Sequence, residues 1–390
     1  MLPQRIGLRA DLKRLRDEGF DIQIVEAYLV VRNVPYLAAK GDAQLGILVC
    51  ALSDDGLPPP DHTAYFIGKY PCHADGSQLT QVVNSANSVK VSDELTTNYY
   101  FSAKPQPSGK YDDFYHKVTT YVRLLGAPVK DVDPMMTAKV FAVVRDDEDD
   151  GIFKYLDTAS SRSDTVEAKR KLHLERVAIL GVGGTGGYIL DLVAKTPVRE
   201  IHLFDGDRFL QHNAFRAPGA PSEEELNRQA YKVDYFAEIY SKMRNGIVPH
   251  PEPISVDNLH LLQGMNFVFI SMEAGMVKKT VIDKLLEWKI PFVDVGMGVY
   301  LRNNTLGGTL RITAGTDKKS DHLSKRVPMT DGGIKNEYDK NIQIAELNAL
   351  NAALAVIKWK KLFGYYPDQS GEHYSTYAIG RNQINNEDPA

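Results

Sequence analysis

The segment Arg176-Val-Ala-Ile-Leu-Gly-Val-Gly-Gly-Thr-Gly-Gly-Tyr188, with Ile201-His-Leu-Phe-Asp-Gly-Asp-Arg-Phe-Leu-Gln-His-Asn-Ala-Phe-Arg216 after it, limits the folds open to this chain more than any other stretch. It reads as a buried apolar strand, a glycine turn, a helix, a second apolar strand, and a carboxylate-rich turn carrying an asparagine and an arginine. Gly181, Gly183, Gly184 and Gly186 let the backbone bend sharply and let phosphate approach where a Cβ would intrude. The amides that open the next helix then face an anion. Asp205 ends the second strand, where a carboxylate can accept hydrogen bonds from ribose hydroxyls. Up to this point NAD and ATP are served equally.

The residues after Asp205 separate the two nucleotides. A hydride-transfer site needs one acid here, whereas this chain adds Asp207, Asn213 and Arg216, with Lys232 on the next helical stretch. Cations beside a phosphate turn suit a triphosphate whose charge grows at phosphorus during attack. With the glycines, Asp205, Asp207, Asn213, Arg216 and Lys232 in that order, residues 172–360 resemble the E1-like, ThiF-type adenylyltransferase family. That family holds the ubiquitin-activating enzymes and their bacterial relatives in thiamin and molybdopterin synthesis.

The resemblance implies a doubly wound, Rossmann-like adenylation domain that binds ATP and Mg2+ and forms a homodimer. Its implied reaction is adenylation of the C-terminal carboxylate of a small ubiquitin-like β-grasp protein with a Gly-rich tail, with release of pyrophosphate. It assigns ATP contacts to Gly181, Gly183, Gly184, Gly186, Asp205, Asp207, Asn213, Arg216 and Lys232, the last two also catalytic. Magnesium falls on Glu273, which stands where the family carries an aspartate and is one methylene longer, though still a hard oxygen ligand. Lys278 lies where the family often has arginine, and no role attaches to it. Arg162, upstream of the first strand, is by rough position the candidate for an arginine that reaches ATP across the family's dimer, with Arg170 and Arg176 as equal alternatives.

Two departures stand out. The family's thioester cysteine in the crossover loop has no counterpart, because no cysteine follows Cys72. The loop from Ala314 to Asn341 offers the hydroxyls of Ser320, Ser324 and Thr330, and Ser320 lies two residues from His322. A serine nucleophile needs such a base, and the competing reading is a basic loop that grips a partner's tail. The cysteine pairs that bind zinc in many relatives are also missing, so no zinc is expected.

The sequence divides into an N-terminal α+β domain over residues 1–145, a linker and helix over 146–170, and the adenylation domain over 171–390. The acidic run Arg145-Asp-Asp-Glu-Asp-Asp-Gly151 marks the boundary. In the first domain the pattern predicts helices at Arg9–Glu18 and Asp113–Leu125, with strands around Ile24–Val31, Gln44–Leu52 and Ala64–Ile67. Phe101-Ser-Ala-Lys-Pro105, Asp61-His-Thr-Ala-Tyr-Phe66 and Tyr70-Pro-Cys-His-Ala-Asp-Gly76 resemble a bacterial group fused to E1-like modules in operons for ubiquitin-like proteins. Its outline is similar to E2. Cys72 is a candidate acceptor there, and Ser102 with Lys104 another, while His62 and His73 read as local hydrogen-bonding groups.

In the second half, Val177–Leu180, Ile201–Phe204, Phe267–Ser271 and Pro291–Val295 suit a parallel sheet buried on both faces. Helices are expected at Asp164–Leu172, Met276–Trp288 and Ile342–Phe363, and Tyr374–Ile384 is expected to add a strand. A net charge of −4 and a pI near 6.2 argue against nucleic acid as the main partner. Two cysteines agree with a reducing compartment, and no apolar run reaches membrane-spanning length, which places the protein in the cytoplasm. Other readings are sulfur-carrier activation for cofactor biosynthesis, an NAD-dependent oxidoreductase, and a non-catalytic scaffold for a β-grasp partner.

Overall fold

A computed structural model describes residues 9–54, 56–144, 151–163, 165–273, 275–329 and 342–390. Residues 145–150 of the acidic run, Asp164, and loop residues 330–341, Thr330 among them, lie outside the described residues. The chain forms two compact units, one of Met1–Gly151 with Tyr155–Ser163, the other of Ile152–Lys154 with Asp164–Ala390.

The first unit is mostly strands. β1 (Ile22–Val25), β2 (Tyr28–Ala39), β3 (Asp42–Ala51), β4 (Thr63–Ile67), β5 (Val83–Ala86) and β6 (Tyr99–Ser102) form an antiparallel sheet in the order β1-β2-β3-β4-β6-β5. The single strand expected over Ile24–Val31 is two, because Glu26 turns the chain at φ 54° and makes a hairpin of β1 and β2. One sheet face buries Leu48, Phe66 and Phe101 against Leu12 and Leu15 of α1 (Ala10–Asp17) and Phe114, Val118 and Tyr121 of α2 (Phe114–Gly126). The period of 3.6 along α2 puts these apolar residues on one stripe, and Asp113 caps its start by accepting from the His116 amide at 2.7 Å.

The second unit holds an eight-stranded sheet in the order β14-β13-β12-β11-β10-β7-β8-β9. β7 (Arg176–Leu180), β8 (Glu200–Phe204), β9 (Ile247–His250), β10 (Phe267–Ile270) and the start of β11 (Phe292–Arg302) run parallel. β12 (Thr305–Gly315), β13 (Glu372–Ala378) and β14 (Gln383–Pro389) extend it antiparallel. The expected strand over Tyr374–Ile384 is thus a hairpin of two, and the expected helix over 164–172 is a single turn at Val166–Arg170.

Alternation along β7 sends Val177 and Ile179 to one face and Ala178 and Leu180 to the other. The first face is covered by α3 (Gly184–Val193), α4 (Lys232–Tyr240) and α6 (Ala345–Leu362), whose Trp359 is fully buried. The second is covered by α5 (Met276–Glu287) through Val281, Ile282 and Leu285. Helices on both faces explain why these strands read as unbroken apolar runs. The chain moves from β7 out to β8 and β9, then returns to the other side of β7 as β10, so a crevice opens beyond the carboxyl ends of β7 and β10. No described helix is long and apolar enough to cross a membrane.

Candidate functional site

Gly181 leaves β7 at φ 83°, a conformation that L side chains rarely adopt, and a Cβ there would sit 2.9 Å from the Ser271 carbonyl after β10. Gly186, on the first turn of α3, is tighter: its Cβ would fall 1.8 Å from the Gly181 carbonyl oxygen and 2.5 Å from Ser271 Oγ. Ser271 Oγ itself donates to the Leu180 and Gly181 carbonyls at 3.0 and 2.5 Å. Gly183 faces open space, so the turn presents bare backbone where it meets the crevice. Gly186→Ala is therefore expected to cost about 1–3 kcal/mol through overpacking and to displace the turn. A thermal midpoint equal to that of the unaltered protein, with ATP affinity also unaltered, would show that the close approach is not needed.

Asp205 is held rather than free to swing. Its Oδ2 accepts from the Val182 amide at 2.9 Å and its Oδ1 from the Asp207 amide at 2.9 Å, so the acid after β8 ties down the glycine turn. A carboxylate has about four acceptor positions, which leaves room for ribose hydroxyls. Lys232, at the first position of α4 and only 6% exposed, sets its Nζ 2.6 Å from Asp207 Oδ2 and 3.6 Å from Asp205 Oδ1. Asn213 uses its Oδ1 to accept from the Leu210 amide at 2.8 Å, while its Nδ2 is buried without a partner. Arg216 Nε is buried and unpartnered as well. Buried donors without acceptors are costly, and these two, three residues apart in sequence, have the chemistry to donate to a ligand rich in oxygen.

Asn348 on α6, which the sequence did not single out, joins this segment to the turn. It accepts from Thr185 Oγ1 at 2.8 Å and donates to the Arg216 carbonyl at 3.1 Å, and any Cβ on Gly184 would strike it. The i, i+3 spacing of Asn348 and Asn351 places both on one side of α6, and Asn351 donates to the Gly296 carbonyl at 3.1 Å.

A cleft of about 690 Å³ opens beside the turn, lined by Gly183–Gly186, Glu273, and residues of β11, β12 and β13. Glu273, past the end of β10, is exposed at its rim. On the wall, Asp294 is fully buried between two cations, Lys278 Nζ at 2.8 Å and Arg311 Nη2 at 2.6 Å, and Arg311 also donates to Thr313 Oγ1 at 2.7 Å. One carboxylate for two cations leaves this wall positive by one charge. Lys278 thus has a partner that the sequence did not reveal, because α5 packing brings it to Asp294 while β11–β12 pairing brings Arg311 to the same carboxylate.

The remaining candidates are dispersed. Arg162 ends the helical turn Thr158–Arg162, in the first unit. Ser320 is exposed, and His322 turns away from it, its buried ring donating through Nε2 to the Ala314 carbonyl at 3.0 Å. Cys72 is 7% exposed and bonds through Sγ to the Tyr70 and Ala38 carbonyls at 3.5 and 3.6 Å. Burial, and then Asp75 nearby, raise its pKa, so the thiol stays protonated. Burial pushes Cys50 up to about 11. Among the described residues no three of His, Cys, Asp or Glu gather to cage a metal.

Residues 160–334 match the ThiF family, and residues 10–158 match a domain described as a domain of unknown function, DUF6791. No curated protein matches the chain. Among solved structures, E. coli MccB with ATP is 20% identical at a TM-score of 0.45, over 57% of this chain and 66% of that one. The microcin C7 biosynthetic enzyme MccB in complex with N-formylated MccA is 19% identical at 0.46, over 59% and 70%. PaaA is 18% identical at 0.44, over 59% and 80%. The chain spans about two thirds of the length of the MccB structures.

Proposed function

With the C-terminal part of the chain a ThiF family domain, we propose that the protein uses ATP to adenylate a substrate carboxylate and releases pyrophosphate. The observation that carries this is the group of cations and buried, unpartnered donors beside the glycine turn: Lys232, Arg216 Nε and Asn213 Nδ2. A dinucleotide needs the turn and one acid. A triphosphate about to lose its outer two phosphates needs cations where charge grows.

In this reading the bare backbone at Gly183 and the amides opening α3 meet the phosphates, and Asp205 holds the ribose while it fixes the turn. Lys232 and Arg216 neutralise charge on the phosphate chain, and Asn213 donates its free N–H to it. A magnesium ion, which supplies charge neutralisation on phosphate oxygens, would rest on Glu273, since magnesium bound with a nucleotide asks for only one or two protein carboxylates. Arg162 is the candidate for an arginine acting across a homodimer. In this reading the positive wall of Lys278 and Arg311, which lines the same cleft as the glycine turn, draws in the substrate carboxylate. We assign the substrate as the Gly-rich C-terminal tail of a small ubiquitin-like β-grasp protein in a bacterial conjugation pathway, on the sequence resemblance of both halves to that group.

The test is ATP–pyrophosphate exchange by the full chain with magnesium and candidate β-grasp proteins. Exchange that depends on the partner's terminal carboxylate and is lost in Glu273→Ala is the expected result. ATP binding with no exchange for any β-grasp protein encoded beside this chain would sink the assignment of substrate. Exchange driven instead by a free small carboxylic acid would keep adenylation and overturn the protein partner.

A further inference from the structure

The first unit brings together a histidine and a serine that lie far apart in sequence. His62 lies one residue before β4 and Ser102 is the last residue of β6. These strands pair antiparallel with Thr63 opposite Ser102, which brings His62 Nε2 to 3.2 Å from Ser102 Oγ across 40 residues of sequence. Both residues are half-buried, so the pair can be reached from solvent. Lys104, the neighbour that the sequence suggested for Ser102, is exposed.

The backbone around the pair is held by groups that are expensive to bury. Lys117 on α2 is 0% exposed, and its Nζ donates to the Asp61 carbonyl at 3.1 Å and to Asp61 Oδ1 at 3.4 Å. One turn along α2, the fully buried Tyr121 donates its hydroxyl to the His62 carbonyl at 2.5 Å and accepts from the Ala103 amide at 3.0 Å. The Ser102 amide donates to the Val82 carbonyl at 2.9 Å. Burying an ammonium group costs several kcal/mol unless it is well partnered. Here its partners are the carbonyl and carboxylate of the residue just before His62. One helix face thus fixes the main chain leading into the histidine and the main chain leaving the serine, which is the rigid support that a nucleophile and its base require.

We propose that Ser102 is a nucleophile with His62 as its general base, and that it accepts an acyl group from an activated carboxylate to form an oxyester. A serine hydroxyl is a weak nucleophile until a base within hydrogen-bond reach takes its proton. The bond from Ser102 Oγ to the acyl carbon forms, and the bond from that carbon to its leaving oxygen breaks. The serine proton passes to His62 Nε2 and from there to the leaving group, with no change of oxidation state. His62 Nδ1, which makes no hydrogen bond among the described residues, carries the proton of the neutral ring at the start. The donor is an acyl adenylate, so the donor rests on the function proposed above, whereas the reactivity of Ser102 does not.

The test uses the full chain and a fluorophosphonate probe, which reports hydroxyl reactivity without ATP or a partner. Ser102 Oγ displaces fluoride from phosphorus, and peptide mass spectrometry locates the adduct. The expected result is labelling at Ser102, none there in Ser102→Ala, and labelling on the order of 100-fold slower in His62→Gln, as removal of a general base implies, with thermal midpoints unchanged. Absence of label on Ser102 in the folded wild type, or equal rates in His62→Gln, overturns the proposal. A second arm supplies ATP, magnesium and a partner that supports pyrophosphate exchange. An alkali-labile acyl adduct on Ser102 supports the acceptor role, and sustained exchange without that adduct overturns it. Failure of adenylation itself would leave the probe result standing.

Discussion

Lys232→Ala is expected to lower ATP–pyrophosphate exchange by on the order of a thousandfold, the loss typical when a cation or donor aimed at developing charge is removed. Lys232 is nearly buried and is held between Asp207 and Asp205, so its ammonium group is placed before any ligand arrives. Under the proposed function ATP shares it between these carboxylates and phosphate oxygens, with no recruitment from solvent. Its removal also leaves two carboxylates without their counter-ion, and one of them, Asp205, anchors the Val182 amide. A loosened turn therefore contributes to the loss beside the missing charge. Lys232→Arg separates the two: it retains the charge and the pairing but not the compact geometry, and is expected to keep the fold while losing exchange in part. Thermal unfolding of both variants checks the structural share. Exchange within about twofold of wild type in Lys232→Ala would remove this lysine from the chemistry.

Arg244→Met is expected to destabilise the second unit by about 3–4 kcal/mol, lowering its thermal midpoint by roughly 10 °C. Arg244 is 0% exposed, and among the described residues no carboxylate pairs with it. Its guanidinium instead donates to the carbonyls of Ala194 and Thr196 at 3.3 Å, Arg199 at 3.2 Å and Asn245 at 2.9 Å, and to that of Val198. These carbonyls belong mainly to the connection from α3 to β8, just past the glycine-turn helix. Burial pushes the arginine down to about 10, so it remains charged at neutral pH. Methionine fills similar volume and supplies no donor, which isolates the loss of hydrogen bonds to several buried carbonyls from the loss of packing. A midpoint within about 2 °C of wild type would mean that water replaces the guanidinium without penalty.

Arg244 also shows where sequence reading stops. An arginine near the end of a helical stretch looks like a solvated charge, and nothing local announces five carbonyls converging on it. Asn348 and Asp294 are alike in this respect. Asn348 sits in an Ala- and Leu-rich helix, and its contacts, Thr185 and Arg216, are more than a hundred residues away. Asp294 lies within the apolar run Pro291–Val295 and is fully buried, where antiparallel pairing with β12 brings Arg311 against it from one side and α5 brings Lys278 from the other. The E2-like outline expected for the first domain rests on the order helix, antiparallel strands, helix. The motif residues Cys72 and Ser102 did not reveal which of them would be buried and which would meet a histidine.

The sequence by itself determined the parallel core of the second unit and the glycine turn, because both are local. Short apolar runs bounded by turns can bury both faces of a strand only inside a covered sheet, and a turn that brings backbone against backbone admits little but glycine. The acids and cations after β8 were legible for the same reason, since they lie within one β-strand and one helix of the turn. The tertiary structure alone decided the antiparallel extension through β12, β13 and β14, the positive wall at Asp294, and the pairing of His62 with Ser102. Each depends on which strands lie side by side. Strand pairing is set by the summed burial of whole faces and by the register of the ladders, quantities that no single segment contains.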